Sequence, residues 1–355
     1  MPADSTAPVR PSRVRRLAAA LVLSALVAAA GWACLRRALP ARPEPWVRAG
    51  AMPLLARGVG DSWLWVERPK DGPNRLVVAR GRQARPIAEA ESITAYDADG
   101  RRAAWIARSG GRWQVSVADL DGAPPKVLWE GPEEPWGVRL AGPGVCWLRP
   151  APAEAPGLSA FPPLGAQTEV VRADASGGPP VTVGRLREEG PGEIVGYHGG
   201  ALVVAAWRIG SLGNTVFHRV PLDGEPARRL AGELGVRRGV LERDGSLVWT
   251  ALSREATIEA AASCLRRLPA GGGAIQTVME WLPAGGALFA TRGGLVYVGG
   301  ESRSEAWVPG RRTELPRPEP LHRDYAIVAA GERDLLLVSV AAVSGTPMLY
   351  RAPLP

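Results

Sequence analysis

Asp99-Gly100-Arg101-Arg102-Ala103-Ala104-Trp105 decides the fold, because it joins a tight turn to an apolar strand that carries a tryptophan. The same arrangement recurs along the chain: Gly60 with Trp63 and Trp65, Gly144 with Trp147, Gly199-Gly200 with Trp207, Asp244-Gly245 with Trp249, and Gly285-Gly286 with Phe289. A seventh copy, in which Gly331 precedes an apolar run over 335–340, lacks the aromatic residue. The chain is therefore built from a repeated unit.

A second marker recurs independently of the first. Strand-like runs end in turns at Gly81, Gly122, Gly177, Gly224, Gly271 and Gly310, and a last run ends at the C-terminus, with successive spacings of 41, 55, 47, 47, 39 and 45 residues. A period near 45 residues with about four short strands per unit is typical of a propeller blade. The repeats predict an all-β fold, a seven-bladed β-propeller over residues 46–355.

Packing explains why such units must associate. Each four-stranded unit has two apolar faces, so neighbouring units stack, and a closed ring leaves no end face uncovered. We expect the recurring aromatic residues to fill the spaces between blades, namely Trp65, Trp105, Trp147, Trp207, Trp249 and Phe289. The last unit offers only three strands, so we expect the segment 46–51 to supply the fourth and close the ring.

The repeats resemble a known class of propellers. Asp99–Trp105, and His218-Arg219-Val220-Pro221-Leu222-Asp223-Gly224 followed by Arg229-Leu230, are similar to the repeats of TolB-like propellers and of propellers related to the low-density-lipoprotein-receptor YWTD class. The turn common in TolB-like blades, Ser-Pro-Asp-Gly, is reduced here to Asp-Gly or Gly-Gly. The resemblance implies the propeller fold and an exported binding role, and it implies no specific ligand.

The N-terminus predicts the location. Residues 17–35 form a run of nineteen uncharged residues, long enough to cross a bilayer as one helix. We therefore expect a short cytoplasmic tail (1–16), a signal-anchor helix (17–35) and a Pro-rich linker (36–45). The arginines before the run favour an orientation in which the propeller lies on the periplasmic or extracytoplasmic side of the inner membrane. A cleaved signal peptide, with a site near Ala28–Ala30, is the alternative, and either outcome exports the body.

Charge and cysteine usage limit the function classes. Of the formal net charge of +8, most lies in the first 42 residues, which hold seven arginines against Asp4 alone. The nearly neutral body lacks the clustered positive charge of a nucleic-acid-binding surface, so no nucleic-acid partner is expected. Cys146 and Cys264 lie far apart in apolar runs, which favours two buried free thiols over a disulfide or a metal site.

No catalytic or cofactor motif is complete. Ile209-Gly210-Ser211-Leu212-Gly213 lacks the first glycine of a serine nucleophile elbow and the helix behind it. The three histidines (His198, His218 and His322) have no metal-ligand spacing, and aspartates such as Asp97 and Asp99 are expected to serve turns. The sequence therefore predicts no catalytic residues, no metal and no cofactor.

The best candidate contact is where the period is broken. Residues 150–167 (PAPAEAPGLSAFPPLGAQ) lengthen the third unit between its second and third strands. In propellers this connection shares a face with the loops between blades, where we place Trp136, Arg237, Arg238 and His322. A Pro-rich insertion exposing Leu158, Phe161 and Leu164 is either a preorganised apolar contact or a tolerated surface insertion.

Two functions remain open at this stage. The first is a non-enzymatic, membrane-anchored scaffold that binds a protein, peptide or glycan outside the membrane, as one subunit of an envelope complex. The second is a propeller enzyme, a lyase or hydrolase with its active site in the central pocket. Convergent titratable groups at the channel would favour the enzyme, and a flat or apolar face would favour the scaffold.

Overall fold

The described part of the chain consists of strands and turns. The computed structural model describes residues 44–151, 167–187, 189–208, 214–234, 236, 238–252, 262–283, 286–291, 294–299, 305–308, 311–314, 325–339 and 347–354. Strands alternate with turns because short runs of β-branched and aromatic residues are separated by glycines. Many of these turn glycines, including Gly60, Gly81 and Gly100, have a positive φ that other residues adopt only with strain.

The strands are, in chain order, β1 (Glu44–Arg48), β2 (Pro53–Val59), β3 (Ser62–Glu67), β4 (Asn74–Arg80), β5 (Gln83–Ala90), β6 (Ser92–Ala98), β7 (Arg102–Ser109), β8 (Arg112–Asp119), β9 (Lys126–Gly131), β10 (Trp136–Ala141), β11 (Gly144–Pro150), β12 (Gln167–Asp174), β13 (Val181–Arg187), β14 (Glu189–His198), β15 (Ala201–Arg208), β16 (Asn214–Pro221), β17 (Arg228–Leu234), β18 (Arg238–Leu241), β19 (Leu247–Leu252), β20 (Ala262–Leu268), β21 (Gln276–Pro283), β22 (Ala287–Thr291), β23 (Gly294–Gly299), β24 (Glu305–Val308), β25 (Arg311–Glu314), β26 (Tyr325–Ala330), β27 (Asp334–Ser339) and β28 (Met348–Pro353).

These strands form seven antiparallel sheets of four strands each within the described residues. Six sheets follow chain order: β2–β5, β6–β9, β10–β13, β14–β17, β18–β21 and β22–β25. The seventh has the order β1-β28-β27-β26. We number the sheets in this order, first to seventh.

The sheets are arranged around a central channel as a β-propeller. The first strands of most neighbouring sheets contact each other, and β2 of the first sheet contacts β26 of the seventh. We call the upper face the one at which the first strand of each sheet begins and its second strand ends, and the lower face the opposite one.

The core lies between the sheets. Seven apolar clusters can be distinguished among the described residues, and each combines side chains from two neighbouring sheets. Four of the expected aromatic residues are buried in these clusters: Trp65, Trp105, Trp147 and Trp249. They lie on second strands and face the preceding sheet, so they fill the space between blades as their spacing predicts.

Two of the expected core aromatics are placed differently. Trp207, near the end of β15, is 64% exposed, so its prediction as a core residue is wrong. Phe289 lies in β22, a first strand, and is only partly buried, while Tyr297 of the second strand β23 is buried against the fifth sheet. Phe289 differs because a glycine turn can precede the first strand of a sheet as well as the second, and Trp207 differs because it lies near the end of its strand, beyond the buried middle.

The two ends of the propeller meet in the seventh sheet. β1 pairs antiparallel with β28, from Glu44 opposite Arg351 to Arg48 opposite Met348, slightly earlier in the chain than the segment expected to do so. The buried carboxylate of Glu67 accepts hydrogen bonds from the Gly50 amide (2.7 Å) and from Trp65 Nε1 (3.0 Å). Glu67 therefore ties the residues after β1 to the first sheet.

The predicted fold class needs a correction. It combined the propeller with an N-terminal transmembrane helix, whereas the described elements are all strands, and none of the described residues forms a helix long and apolar enough to cross a membrane. The physical reason is that the described chain consists of short runs broken by turns. The apolar run 17–35, on which the helix was predicted, lies outside the described residues, together with the tail and most of the linker.

Candidate functional site

The predicted contact residues are described only in part. Trp136 is the first residue of β10 rather than part of a loop, and it is half-buried against the apolar cluster between the third and fourth sheets. Arg238 begins β18, but its side chain lies outside the described residues. Leu158, Phe161, Leu164, Arg237 and His322 also lie outside them. Their role as contacts stays a prediction.

The two ends of the 150–167 insertion are anchored at the upper face. β11 ends at Pro150 and β12 begins at Gln167, and the Ala151 amide donates to the Gln167 carbonyl (2.8 Å). One step further into the sheet, the buried carboxylate of Glu169 lies between two arginines. Opposite charges directly across neighbouring strands stabilise their register, so the insertion starts from a fixed base.

The geometry of this base is well defined. Arg149 Nε and Nη2 donate to Glu169 Oε2 at 3.0 and 2.9 Å, and Arg185 Nε and Nη2 lie 3.1 and 3.0 Å from Oε1. Arg149 and Arg185 are the register partners of Glu169 on β11 and β13. The charge pairs therefore span three consecutive strands below the insertion.

The upper face also carries exposed apolar side chains. Of the exposed large apolar residues among those described, more lie at strand ends on this face than on the lower face: Met52, Leu54, Leu55, Trp207, Leu252 and Trp281. Trp207 and Trp281 expose 64% and 55% of their surface, respectively. Covering an exposed indole removes a large apolar area from water, which makes exposed tryptophans candidate contact residues.

Register places Trp207 beside the groove between the fourth and fifth sheets. Trp207 pairs with Thr215, and Thr215 pairs with Glu233, so the three residues share one side of the fourth sheet. Glu233 Oε2 accepts a hydrogen bond from Trp249 Nε1 of the fifth sheet (2.7 Å). This side therefore faces the fifth sheet, with Trp207 at the edge of the groove.

Trp281 borders the same groove from the fifth sheet. Its neighbour Leu282 is buried against the sixth sheet, and successive side chains of a strand point to opposite faces, so Trp281 points toward the fourth sheet. The facing sides of these two sheets also carry an ion pair in which Arg266 Nε is 3.5 Å from Glu233 Oε1. We call Trp207, Trp281, Glu233 and Arg266 the aromatic groove.

The sequence held a signal for part of this groove. Trp207 follows its glycine turn at a longer interval than Trp65, Trp105, Trp147 or Trp249 follow theirs, which places it beyond the buried middle of the strand. Trp281 lies on a fourth strand, which neither repeat marker covers.

The central channel contains a second cluster of charged side chains. Asp97 of β6 forms ion pairs with Arg57 of β2 and with Arg139 of β10, whose Nη1 is 3.0 Å from Oδ1. The Leu140 amide donates to Asp97 Oδ2 (2.8 Å), and Arg139 Nη2 donates to the carbonyls of Ile194 and Val195 on β14 (2.7 and 2.8 Å). We call Arg57, Asp97 and Arg139 the channel cluster, and it joins the first strands of four sheets.

Electrostatics fixes the charge states of the channel cluster. Burial alone would raise the pKa of Asp97, but Arg139 and Arg57 outweigh it, so the pKa lies below its usual value. Burial lowers the pKa of Arg139, and Asp97 opposes this effect. Asp97 is thus an ionised, fully engaged carboxylate, not the turn residue expected from the sequence, and it is poorly suited to donate a proton near neutral pH.

Other reactive groups are inert or scattered in the described part of the chain. Cys146 and Cys264 are free and buried, as predicted, and burial raises the pKa of the Cys146 thiol to about 12. The described residues contain no group of three or more His, Cys, Asp or Glu side chains that could hold a metal ion. Asp99 serves its turn by accepting from the Arg101 and Arg102 amides (3.0 and 2.8 Å).

Comparison with known proteins shows the fold. No family model and no curated protein matches this chain. Among solved structures, an oligogalacturonate lyase in complex with manganese is similar at 13% identity and a TM-score of 0.62, over 89% of this chain and 97% of that one. The β-propeller domain of the Trilobed protease from Pyrococcus furiosus is similar at 13% identity and a TM-score of 0.59, over 86% and 95%.

TolB from Acinetobacter baumannii is also found, at 15% identity and a TM-score of 0.48, over 83% of this chain and 65% of that one. At such identities the likeness extends to the fold alone. The chain therefore has the fold of a β-propeller.

Proposed function

We propose that this chain is a non-enzymatic propeller that binds a protein or peptide partner through its upper face. The observation that carries the proposal is the pair of exposed tryptophans on opposite sides of the aromatic groove. Tryptophan and arginine dominate the binding energy of protein interfaces, and both types meet here. The two ends of the 150–167 insertion are anchored on the same face.

The energy available at this groove is sufficient for a specific contact. A tryptophan buries about 150–250 Å² when it is fully covered, and more than half of that surface is still open at Trp207 and Trp281. At about 25 cal/mol per Å², covering it contributes about 3 kcal/mol for each tryptophan. The Glu233–Arg266 pair, on the facing sides of the same two sheets, supplies hydrogen-bonding groups that orient a partner.

The alternative of a lyase or hydrolase with a central active site has weaker support. The titratable groups of the channel cluster, Asp97 and its two arginines, bind each other and main-chain groups, and Glu193 of β14 adds a carboxylate that acts on Arg139. A propeller enzyme needs titratable groups that converge on substrate instead. The expected location at the inner membrane, with the propeller outside the cytoplasm, stays a prediction.

The test is partner capture with variants of matched chemistry. The tagged full-length chain is crosslinked in its source cells and purified as wild type, as Trp207→Ser/Trp281→Ser, and as Val127→Ser/Ile275→Ser. Val127 and Ile275 are exposed apolar residues at lower-face strand ends, so the last variant removes apolar surface of the same kind elsewhere. We expect the same specific partner with wild type and the control, and its loss with the tryptophan variant.

A separate variant tests the insertion. Because Pro150 pairs with Thr168 and the Ala151 amide donates to the Gln167 carbonyl, an Asn-Gly turn can replace residues 152–166 without separating β11 from β12. Loss of the same partner would assign the insertion to the contact. Recovery of the same proteins by all variants would contradict the upper face as the binding surface.

A further inference from the structure

A cavity lies between the first and second sheets, away from both the aromatic groove and the channel cluster. Its volume is about 630 Å³, within the range of small-molecule sites, and it is lined by Val78, Arg80, Arg82, Gln83, Ala84, Arg85, Leu120 and Asp121. The lining residues belong to the β4–β5 hairpin and to the segment after β8. A third strand ends and a fourth begins at the lower face, so the cavity opens there.

The accessible lining is mainly cationic. Arg80, Arg82 and Arg85 are exposed, whereas Val78 and Leu120 are almost fully buried in the apolar cluster behind them. Asp121 is the only acidic residue among the residues that line this cavity, so the lining carries a net charge of about +2. This charge stands out on a body that is nearly neutral overall.

Two of the three guanidinium groups are held in place. Arg80 donates from Nε to Ser62 Oγ (2.9 Å) and from Nη2 to the Gly100 carbonyl (3.1 Å), and its Nη1 is 2.5 Å from Asp121 Oδ1. Arg85 Nη2 donates to the Leu120 carbonyl. A guanidinium has five N–H donors in a planar fork, so both arginines keep donors for a ligand while their planes are fixed.

We infer that this cavity binds a small anionic ligand that carries several phosphate or sulfate groups, of the class of phosphorylated or sulfated sugars. Guanidinium forks match the oxygens of such groups, and fixed arginines lose little conformational entropy on binding. Arg82, exposed in the β4–β5 turn, adds a third guanidinium for the same ligand.

The experiment is isothermal titration calorimetry of the full chain with two probes, sucrose octasulfate and inorganic tripolyphosphate, and with sucrose as the uncharged control. Comparison of the two probes distinguishes sulfate from phosphate as the preferred group. We expect binding of at least one probe, no binding of sucrose, and an affinity that falls as ionic strength rises.

The decisive variant is Arg82→Gln, because Arg82 is exposed in a turn and its substitution is not expected to affect folding. The matched control is Arg333→Gln, an exposed arginine in the β26–β27 turn on the same face of the seventh sheet. We expect Arg82→Gln to weaken binding about tenfold and Arg333→Gln to leave it within about twofold. Unchanged circular dichroism would show that both variants are folded.

Three outcomes would overturn the inference. The first is absence of binding by wild type at low ionic strength with both probes. The second is an equal loss with Arg82→Gln and Arg333→Gln, which would reduce the effect to overall charge. The third is an affinity unchanged by Arg82→Gln, which would place the bound anion elsewhere.

Discussion

Replacing Asp97 by Asn should destabilise the whole propeller, because this one carboxylate joins the first strands of three sheets. The substitution keeps the volume and removes the charge that compensates Arg57 and Arg139. Breaking a buried ion pair by removing one partner costs about 3–5 kcal/mol, since the other charge stays buried without compensation. Arg57 is 41% exposed and remains partly hydrated, so we expect the lower part of this range, about 3 kcal/mol.

The assay is urea unfolding followed by tryptophan fluorescence, with the midpoint compared between variants. The matched control is Glu130→Gln, which removes a carboxylate from a cross-strand pair with Arg112 (2.5 Å) that is exposed to solvent. Water screens this pair, so we expect a much smaller change in the midpoint. Equal changes in the two variants would refute the view that the channel cluster holds the sheets together.

The same cluster predicts a pH dependence with a definite sign. The pKa of Asp97 is lower in the folded chain than the value of about 3.9 in an unfolded one, so the unfolded state binds the proton more readily. Its contribution to stability is therefore present above about pH 4 and is lost as the pH falls through the folded pKa. The difference in stability between wild type and Asp97→Asn should be constant near neutral pH and shrink below pH 4. A difference that grows on acidification would contradict this sign.

Three further predictions follow from single residues. Glu67→Ala removes the acceptor of two hydrogen bonds beside the ring closure and should lower the free energy of unfolding by about 2 kcal/mol, measured by thermal denaturation, whereas an unchanged midpoint would separate Glu67 from the closure. Glu169→Gln should speed amide hydrogen exchange at the adjoining ends of β11 and β12 while leaving exchange in β19 unchanged. Equal exchange rates in wild type and Glu169→Gln would contradict the anchored base. Cys146, whose thiol pKa burial raises to about 12, should resist alkylation at pH 8 until the chain is unfolded in urea, and rapid labelling of the native chain would contradict its burial.

The propeller architecture could be predicted because its signals are local. A glycine turn and the apolar strand after it lie within a few residues of each other, and the interval between copies needs no knowledge of contacts. The burial of Trp65, Trp105, Trp147 and Trp249 follows from the same pattern. Trp207 and Phe289 show where it fails, because the turn marker does not distinguish a first strand from a second, or the middle of a strand from its end.

The charged clusters were harder to predict, because they form between sheets. Arg57 and Asp97 are 40 residues apart, and Asp97 and Arg139 are 42 residues apart, which is close to one repeat in each case. Opposite charges at equivalent positions of consecutive repeats were therefore a usable signal. The sequence predicts a turn role for Asp97 because it lies in the same Asp-rich segment as Asp99. Only the register of β6 shows that the two carboxylates have different environments.

The residues that stabilise the fold differ from those of the proposed binding surface. The sheets are held together by apolar clusters between them and by ties such as Asp97 in the channel and Arg80 at the lower rim, none of which uses the exposed surfaces of Trp207 or Trp281. Most of each tryptophan surface lies in water, so its removal forfeits little packing, whereas the same change at Trp249 would open a cavity in the core. The proposed partner would therefore cover tryptophan surface that the fold itself does not use. For this reason, loss of binding by Trp207→Ser/Trp281→Ser at unchanged stability would be evidence for the interface itself.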